Sequence, residues 1–309
     1  MEPPNYVFST FACIGFILSF VPFYWHYKAR NTGTCLYMAW TGLGCLNGLV
    51  NSIVWNKDVV NRAPVWCDIS SRFMTGLSVA IPTASLCINR RLYFIATQLS
   101  VTKPQAEKRR EVYVDLAMGI GIPVLQMVLQ YIVQGHRFNI YEEIGCYPMT
   151  YNTPASFPLV FCWPVVIGLI SAAYCSMTIY SVIKRRLDFG QLFPEGFNAS
   201  HHFRLMALAS SELLLGIPWS VYACLYLNIA VFSIHPYKSW DNVHARFSGI
   251  GQFPSFVWKQ DHITVVSIEL TRWATVVCAF IFFGLFGFAG EARKNYRIAI
   301  NSIAKKVGY

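Results

Sequence analysis

Seven long apolar stretches dominate this sequence: Tyr6–Tyr27, Thr34–Trp55, Val65–Phe94, Val112–Gln134, Pro158–Ile183, Leu205–Phe232 and Ile263–Phe288. About 20 such residues cover the roughly 30 Å of hydrocarbon in a bilayer. Every backbone polar group must be satisfied inside lipid, so spans of this kind form helices. The expected fold is an all-α membrane protein, a seven-transmembrane helix bundle. The composition agrees, with 55% hydrophobic and 13% charged residues. Soluble domains carry about 25% charged residues. Residues 1–288 read as the bundle and 289–309 as a cytoplasmic amphipathic tail. In Glu291–Val307, Tyr296, Ile300, Ile303 and Val307 share one face, a pattern suited to lying along a membrane surface. No cleavable signal and no prenyl anchor on this chain are expected.

Orientation follows from charge. With the N-terminus outside and the C-terminus in the cytoplasm, the inner segments hold most of the 25 Lys and Arg residues, as the positive-inside rule requires. The net charge of +10 then suits anionic membrane lipids and acidic partners at the inner face. Nucleic acid is excluded as a partner, because no folded basic domain is present to bind it. In this orientation Cys67 and Cys146 alone face the oxidising side, so a disulfide is expected between them. The other eight cysteines lie in or beside spans and read as small hydrophobes. Asn198-Ala199-Ser200 falls inside, where it stays unglycosylated.

Ionisable residues within spans need partners. Asp115 reads as a snorkelling residue at the inner interface. Asp68 and Arg72, at i and i+4, read as a surface pair at the outer rim. Glu269 and Arg272 are spaced to share a helix face. Two readings stand for them, a self-compensated ion pair or a polar floor for a ligand pocket. Glu212 reads as a neutral acid or as a switch near the inner face. Pro22, Pro82, Pro123, Pro164 and Pro218 each remove a backbone hydrogen bond, and Pro218 is the candidate hinge. Ser233–His262 is an outer loop dense in aromatic side chains. His201-His202 reads as a solvated loop pair; no metal, cofactor or catalytic residue is expected.

Four segments together carry a resemblance that spans nearly the whole chain: Cys87-Ile88-Asn89-Arg90-Arg91-Leu92-Tyr93; Glu142-Glu143-Ile144-Gly145-Cys146; Phe203-Arg204-Leu205-Met206-Ala207-Leu208 running into Glu212–Pro218; and Phe282–Lys294. In this order they resemble fungal mating pheromone receptors of the a-factor type. The resemblance implies a G-protein-coupled receptor at the plasma membrane. Its partners would be a lipidated peptide pheromone and a heterotrimeric G protein, with a homodimer among the assemblies considered. Candidate ligand contacts are Glu142, Glu143, Tyr237, Trp240, His244, Phe247, Trp258, Glu269 and Arg272. Candidate G-protein contacts are Arg90, Arg91, Lys184, Arg185, Arg186 and Arg204. Gly249 stands where the family pattern leads one to expect a basic residue. The resemblance also implies a longer tail than the one ending here at Tyr309.

Two rival functions weigh less. A retinal protein needs a Schiff-base lysine, and Ile263–Phe288 contains none. A secondary transporter would use Glu212, Glu269 and Arg272 as a relay, but the internal repeats usual in transporters are absent.

Overall fold

The structure is a computed structural model that describes residues 4–97, 104–189 and 199–288. The candidate tail 289–309 and Asn198 lie outside the described residues, as do the side chains of Arg185, Arg186 and Glu212.

Each predicted apolar stretch coincides with a helical rod. The first is split into α1 (Asn5–Phe20) and α2 (Phe23–Lys28). Pro22 is the N-cap of α2, where its missing N–H is not needed. Next come α3 (Thr32–Val54), α4 (Pro64–Thr97) and α5 (Gln105–Ile132). A π-helical turn, Phe157–Phe161, leads into α6 (Trp163–Phe189). The helix α7 (Ala199–Ser220) runs on as a π-helical stretch, Val221–Val231. Pro218 lies one turn before that change, where the ladder of backbone hydrogen bonds is already interrupted. The short helices α8 (Trp240–His244) and α9 (Ser255–Trp258) precede α10 (His262–Phe286). Helices α4, α5 and α6 extend past the apolar stretches, because the polar residues flanking a span remain helical. His201 and His202 belong to α7 rather than to a loop.

Among the described residues, five rods are long and apolar enough to cross a membrane. The exceptions are α3 and α4. Both are heavily buried and carry internal polar side chains: Thr41, Asn47 and Asn51 on α3, and Ser70, Ser71, Thr83 and Asn89 on α4. A helix surrounded by protein needs less hydrocarbon of its own, and small polar residues allow close packing and hydrogen bonds between helices. Asn51 shows the effect. Its Nδ2 donates to Ser70 Oγ at 2.9 Å, and its Oδ1 accepts from Trp66 Nε1 at 2.7 Å. Neighbouring rods α1 and α3 run in opposite directions, since Asn5 at the start of α1 donates to the Ser52 carbonyl near the end of α3 at 2.9 Å.

The sequence reading had no sheet, and the structure has one of three strands. Strands β1 (Phe138–Tyr141) and β2 (Gly145–Tyr147) form an antiparallel hairpin. Strand β3 (Ile250–Phe253), from the aromatic loop, pairs parallel to β1, with Phe138 opposite Ile250 and Tyr141 opposite Phe253. The hairpin turn places Glu143 at φ 72 and Gly145 at φ 87. At Gly145 a Cβ would fall 2.6 Å from Asn51 Cβ, so glycine is required both by backbone and by space. Cys67 and Cys146 form a disulfide with their Cα atoms 5.1 Å apart, which fastens β2 to the start of α4. Trp55, Phe138 and Ile140 pack around it as a buried cluster. A second core, built from Tyr37, Met38, Ile88, Leu208, Phe282 and Phe286 among others, holds the opposite end of the bundle.

Candidate functional site

Beneath the sheet lies a cavity of about 200 Å³ within the bundle. Its walls come from α1, α3, α4, α6, α7 and α10, and Ile144 and Tyr147 of the hairpin close its upper end. Most of the lining is apolar or small, including Phe8, Met74, Leu77, Ile81 and Val276. Among the described residues, the charged one on the wall is Arg272.

Of the two readings of Glu269 and Arg272, the ion pair is the one the geometry shows; Arg272 lines the cavity and Glu269 does not. Arg272 donates Nε to Glu269 Oε2 at 2.8 Å, and its Nη2 lies 2.7 Å from Oε1. Their side chains are 8% and 17% exposed, so the pair is screened from water by protein. The remaining guanidinium donors reach Asn5 Oδ1 at 3.2 Å and the Glu143 carbonyl at 3.3 Å, and the group sits 4.5 Å from the centre of the Phe8 ring. Trp273 Nε1 donates to Glu269 Oε2 at 3.2 Å. A buried charge is tolerable only with this degree of satisfaction. Asn5, one residue before the predicted first span, was missed as part of this network; an isolated Asn beside an apolar run gives no signal of a partner 267 residues away.

Glu142 and Glu143 are structural acceptors as placed. Glu142 Oε2 accepts from the Ser255 N–H at 2.7 Å, and Glu143 pairs with Lys259 at 2.8 Å. Both contacts tie the hairpin to the segment that follows β3. The aromatic candidates divide into separate groups. Trp258 is 3% exposed and packs with Ile144, Val265 and Ile268, with Tyr141 and Phe253 at its edge. Burial pushes the Tyr141 phenol up to about 12. Trp240, His244 and Phe247 surround Tyr131 at the end of α5. The His244 ring stacks on Trp240 with centroids 4.1 Å apart and lies 3.0 Å from the Tyr131 carbonyl. None of these three lines the cavity. Tyr237 is half-buried on the same loop.

Two expected arrangements are corrected. Asp68 does not pair with Arg72. Its carboxylate takes Arg137, with Nε at 2.8 Å, because β1 brings Arg137 up to the start of α4. Arg72 turns toward α5 instead and donates to Gln130, Gln134 and the Met127 carbonyl. Asp115 is not a snorkelling residue: it is 2% exposed and pairs with Arg90 Nη2 at 2.9 Å. The depth of α4 in the bundle explains this, since an arginine there needs an acid.

The candidate partner-binding arginines gather at the end opposite the disulfide. Arg90 is held by Asp115 with 18% of its side chain exposed. Arg91 Nη1 donates to the Arg30 carbonyl at 2.6 Å. Lys184 is exposed and Arg204 half-buried. Asn89 Nδ2 bridges to Ser171 Oγ on α6 at 2.9 Å, so the Cys87–Tyr93 segment joins α4 to three neighbours.

A cavity roofed by a disulfide-tied sheet, above a polar knot of helix ends, invites comparison with known proteins. Residues 7–306 match the family model described as Pheromone A receptor. The chain is 47% identical over 297 residues to the Pheromone B alpha 1 receptor of Schizophyllum commune, a match covering 96% of this chain and 46% of that protein. It is 33% identical over 300 residues to Pheromone receptor 1 of Mycosarcoma maydis, covering 96% and 84%. Against the Pheromone a factor receptor of Saccharomyces cerevisiae it is 23% identical over 304 residues, covering 95% and 61%. The chain spans about half the length of the Schizophyllum relatives it matches. With a match that runs from the first helix through the last and relatives similar over almost the whole chain, this protein belongs to the pheromone A receptor family of fungal membrane receptors.

Proposed function

We propose that this chain is a plasma-membrane receptor with seven spans and its N-terminus outside. It binds a prenylated peptide pheromone and activates a heterotrimeric G protein in the mating response. The observation that carries the reading is the apolar cavity closed over by the disulfide-tied sheet. A disulfide belongs to the oxidising side of the membrane, and the basic residues gather at the other end. The cavity volume of about 200 Å³ is smaller than the roughly 300–1,000 Å³ of sites that enclose a whole drug-sized ligand. It suits an apolar chain, with burial contributing about 0.8 kcal/mol per CH₂, while the peptide rests on the sheet and the aromatic loop.

Activation then requires the ligand to bind one bundle state more tightly than another. Glu212 and Pro218 lie on α7, the helix expected to move. The G protein reads the inner face through Arg91, Lys184, Arg185, Arg186 and Arg204, and Arg90 is positioned there by Asp115.

The test is a pheromone-response assay in yeast lacking its own receptor. A synthetic prenylated peptide should activate the pathway, and its unprenylated counterpart should fail. Equal responses to both peptides would overturn the lipid assignment. A chain with Arg91→Ala, Lys184→Ala and Arg204→Ala should reach the surface and bind pheromone without signalling; intact signalling would remove these residues from the coupling face.

A further inference from the structure

A second void, a groove of about 700 Å³, opens at the end opposite the disulfide, between α2, the start of α3 and α5. Leu36, Tyr113 and Leu116 form its apolar flank, and Lys28, Arg30 and Arg109 stand on its rim. The three cations are exposed, and neither Glu107 nor Glu111 of α5 is among the walls. Lys28 Nζ lies 4.4 Å from the centre of the Tyr24 ring, and three exposed cations on one rim favour an anion between them. Arg30 has a φ of 53, which side-chain-bearing residues rarely adopt. The turn closes α2 by its own bonds, from the Arg30 N–H to the Tyr27 carbonyl and from the Asn31 N–H to the His26 carbonyl, both at 3.0 Å, and the Arg30 carbonyl also accepts from Arg91 of α4. This helix-ending turn, tied to α4 through Arg91, carries the third charge at the rim.

We propose that this groove binds one phosphoinositide lipid. Its phosphorylated headgroup lies among Lys28, Arg30 and Arg109, and an acyl chain lies along Leu36 and Leu116. Basic pockets between membrane helices have the chemistry such headgroups require, and the apolar flank selects a lipid over a soluble inositol phosphate. Occupancy bears on α4 directly, because the Arg30 turn that carries one of the charges is bonded to Arg91. That this end meets the cytoplasmic leaflet rests on the topology proposed above.

The experiment uses the full chain in detergent, where both faces are equally reachable. Binding there is independent of topology, and a misplaced topology shows up separately when a tag at Lys184 maps to the outside. Native mass spectrometry would compare retention of a phosphatidylinositol phosphate with that of phosphatidylcholine. Wild type should retain the phosphoinositide preferentially. Each lost charge should reduce retention about fivefold, and Lys28→Gln, Arg30→Gly and Arg109→Gln together about a hundredfold. Glycine accommodates the Arg30 backbone, so Arg30→Gly alone tests the charge without threatening the fold. A photoactivatable phosphoinositide should label Tyr113 or its neighbours. Equal retention of phosphatidylcholine, undiminished retention by the triple variant, or full displacement by soluble inositol phosphate would each overturn the proposal.

Discussion

The Arg272 guanidinium and the Glu269 carboxylate meet through two contacts one turn apart on α10, and the same guanidinium reaches the backbone of Glu143 in the hairpin above. A helix and the sheet that covers it are thus joined by one side chain.

Removing the acid leaves the arginine charged and buried. Glu269→Ala should cost about 3–5 kcal/mol, seen as a lower Tm of the purified chain and reduced surface expression. Glu269→Gln keeps an acceptor for Trp273 and should cost less. If the alanine variant melted with wild type, the pair would be making no net contribution.

The disulfide closes a loop of 79 residues. In the chain-entropy picture this contributes about 2–5 kcal/mol. Cys67→Ser and Cys146→Ser should lower Tm to the same extent, and the double variant should fall no further than either. A reducing agent should lower wild type to the level of the variants and leave the variants unchanged.

Glycines separate sharply by position. At Gly145 an added methyl meets Asn51, and the backbone has φ 87. Gly145→Ala should destabilise by about 1–3 kcal/mol. Gly121, within α5, has nothing within 4 Å of the added atom. Gly121→Ala should raise helix stability by up to about 1 kcal/mol. Thermal melts of the two variants should therefore move in opposite directions, and movement in the same direction would contradict the hairpin geometry.

Asp261 caps α10. The Thr264 hydroxyl, with the Ile263 and Thr264 backbone N–H groups, holds its carboxyl below the ordinary carboxylate range. A depressed pKa stabilises the fold above the unfolded-state value, and that contribution disappears as pH falls through the folded-state value. The hydrogen-exchange protection factors in the first turn of α10 should fall under acid in wild type. In Asp261→Ala they should be low at every pH.

The helices were legible because each is a long, mostly apolar run with few charges. The i, i+3 spacing of Glu269 and Arg272 was equally legible, since both ends of that contact lie on one helix. The sheet was not. Its strands are three or four residues long, and β1 and β3 come from loops more than a hundred residues apart, so no local periodicity announces them. Separation also explains why Asp68 was assigned to Arg72 rather than to Arg137, which lies 69 residues away. The burial of Trp258 was illegible for another reason: an aromatic in a loop gives no sign that it packs with Ile144, Val265 and Ile268. Glu142-Glu143-Ile144-Gly145-Cys146 was recognised as a pattern, but its meaning as a turn, a close approach and a crosslink needed three dimensions.

The parallel pairing of β1 with β3 has a mechanical consequence. It laces the segment after α5 to the segment before α10, and the Cys67–Cys146 bond adds α4 to the same girdle. Rods gripped at one end pivot like the ribs of a fan, so small tilts near the knot become the widest separations where the rods are untied. On the proposed reading, displacement would be least beside the ligand and greatest at the far rim, where Arg91, Lys184 and Arg204 stand.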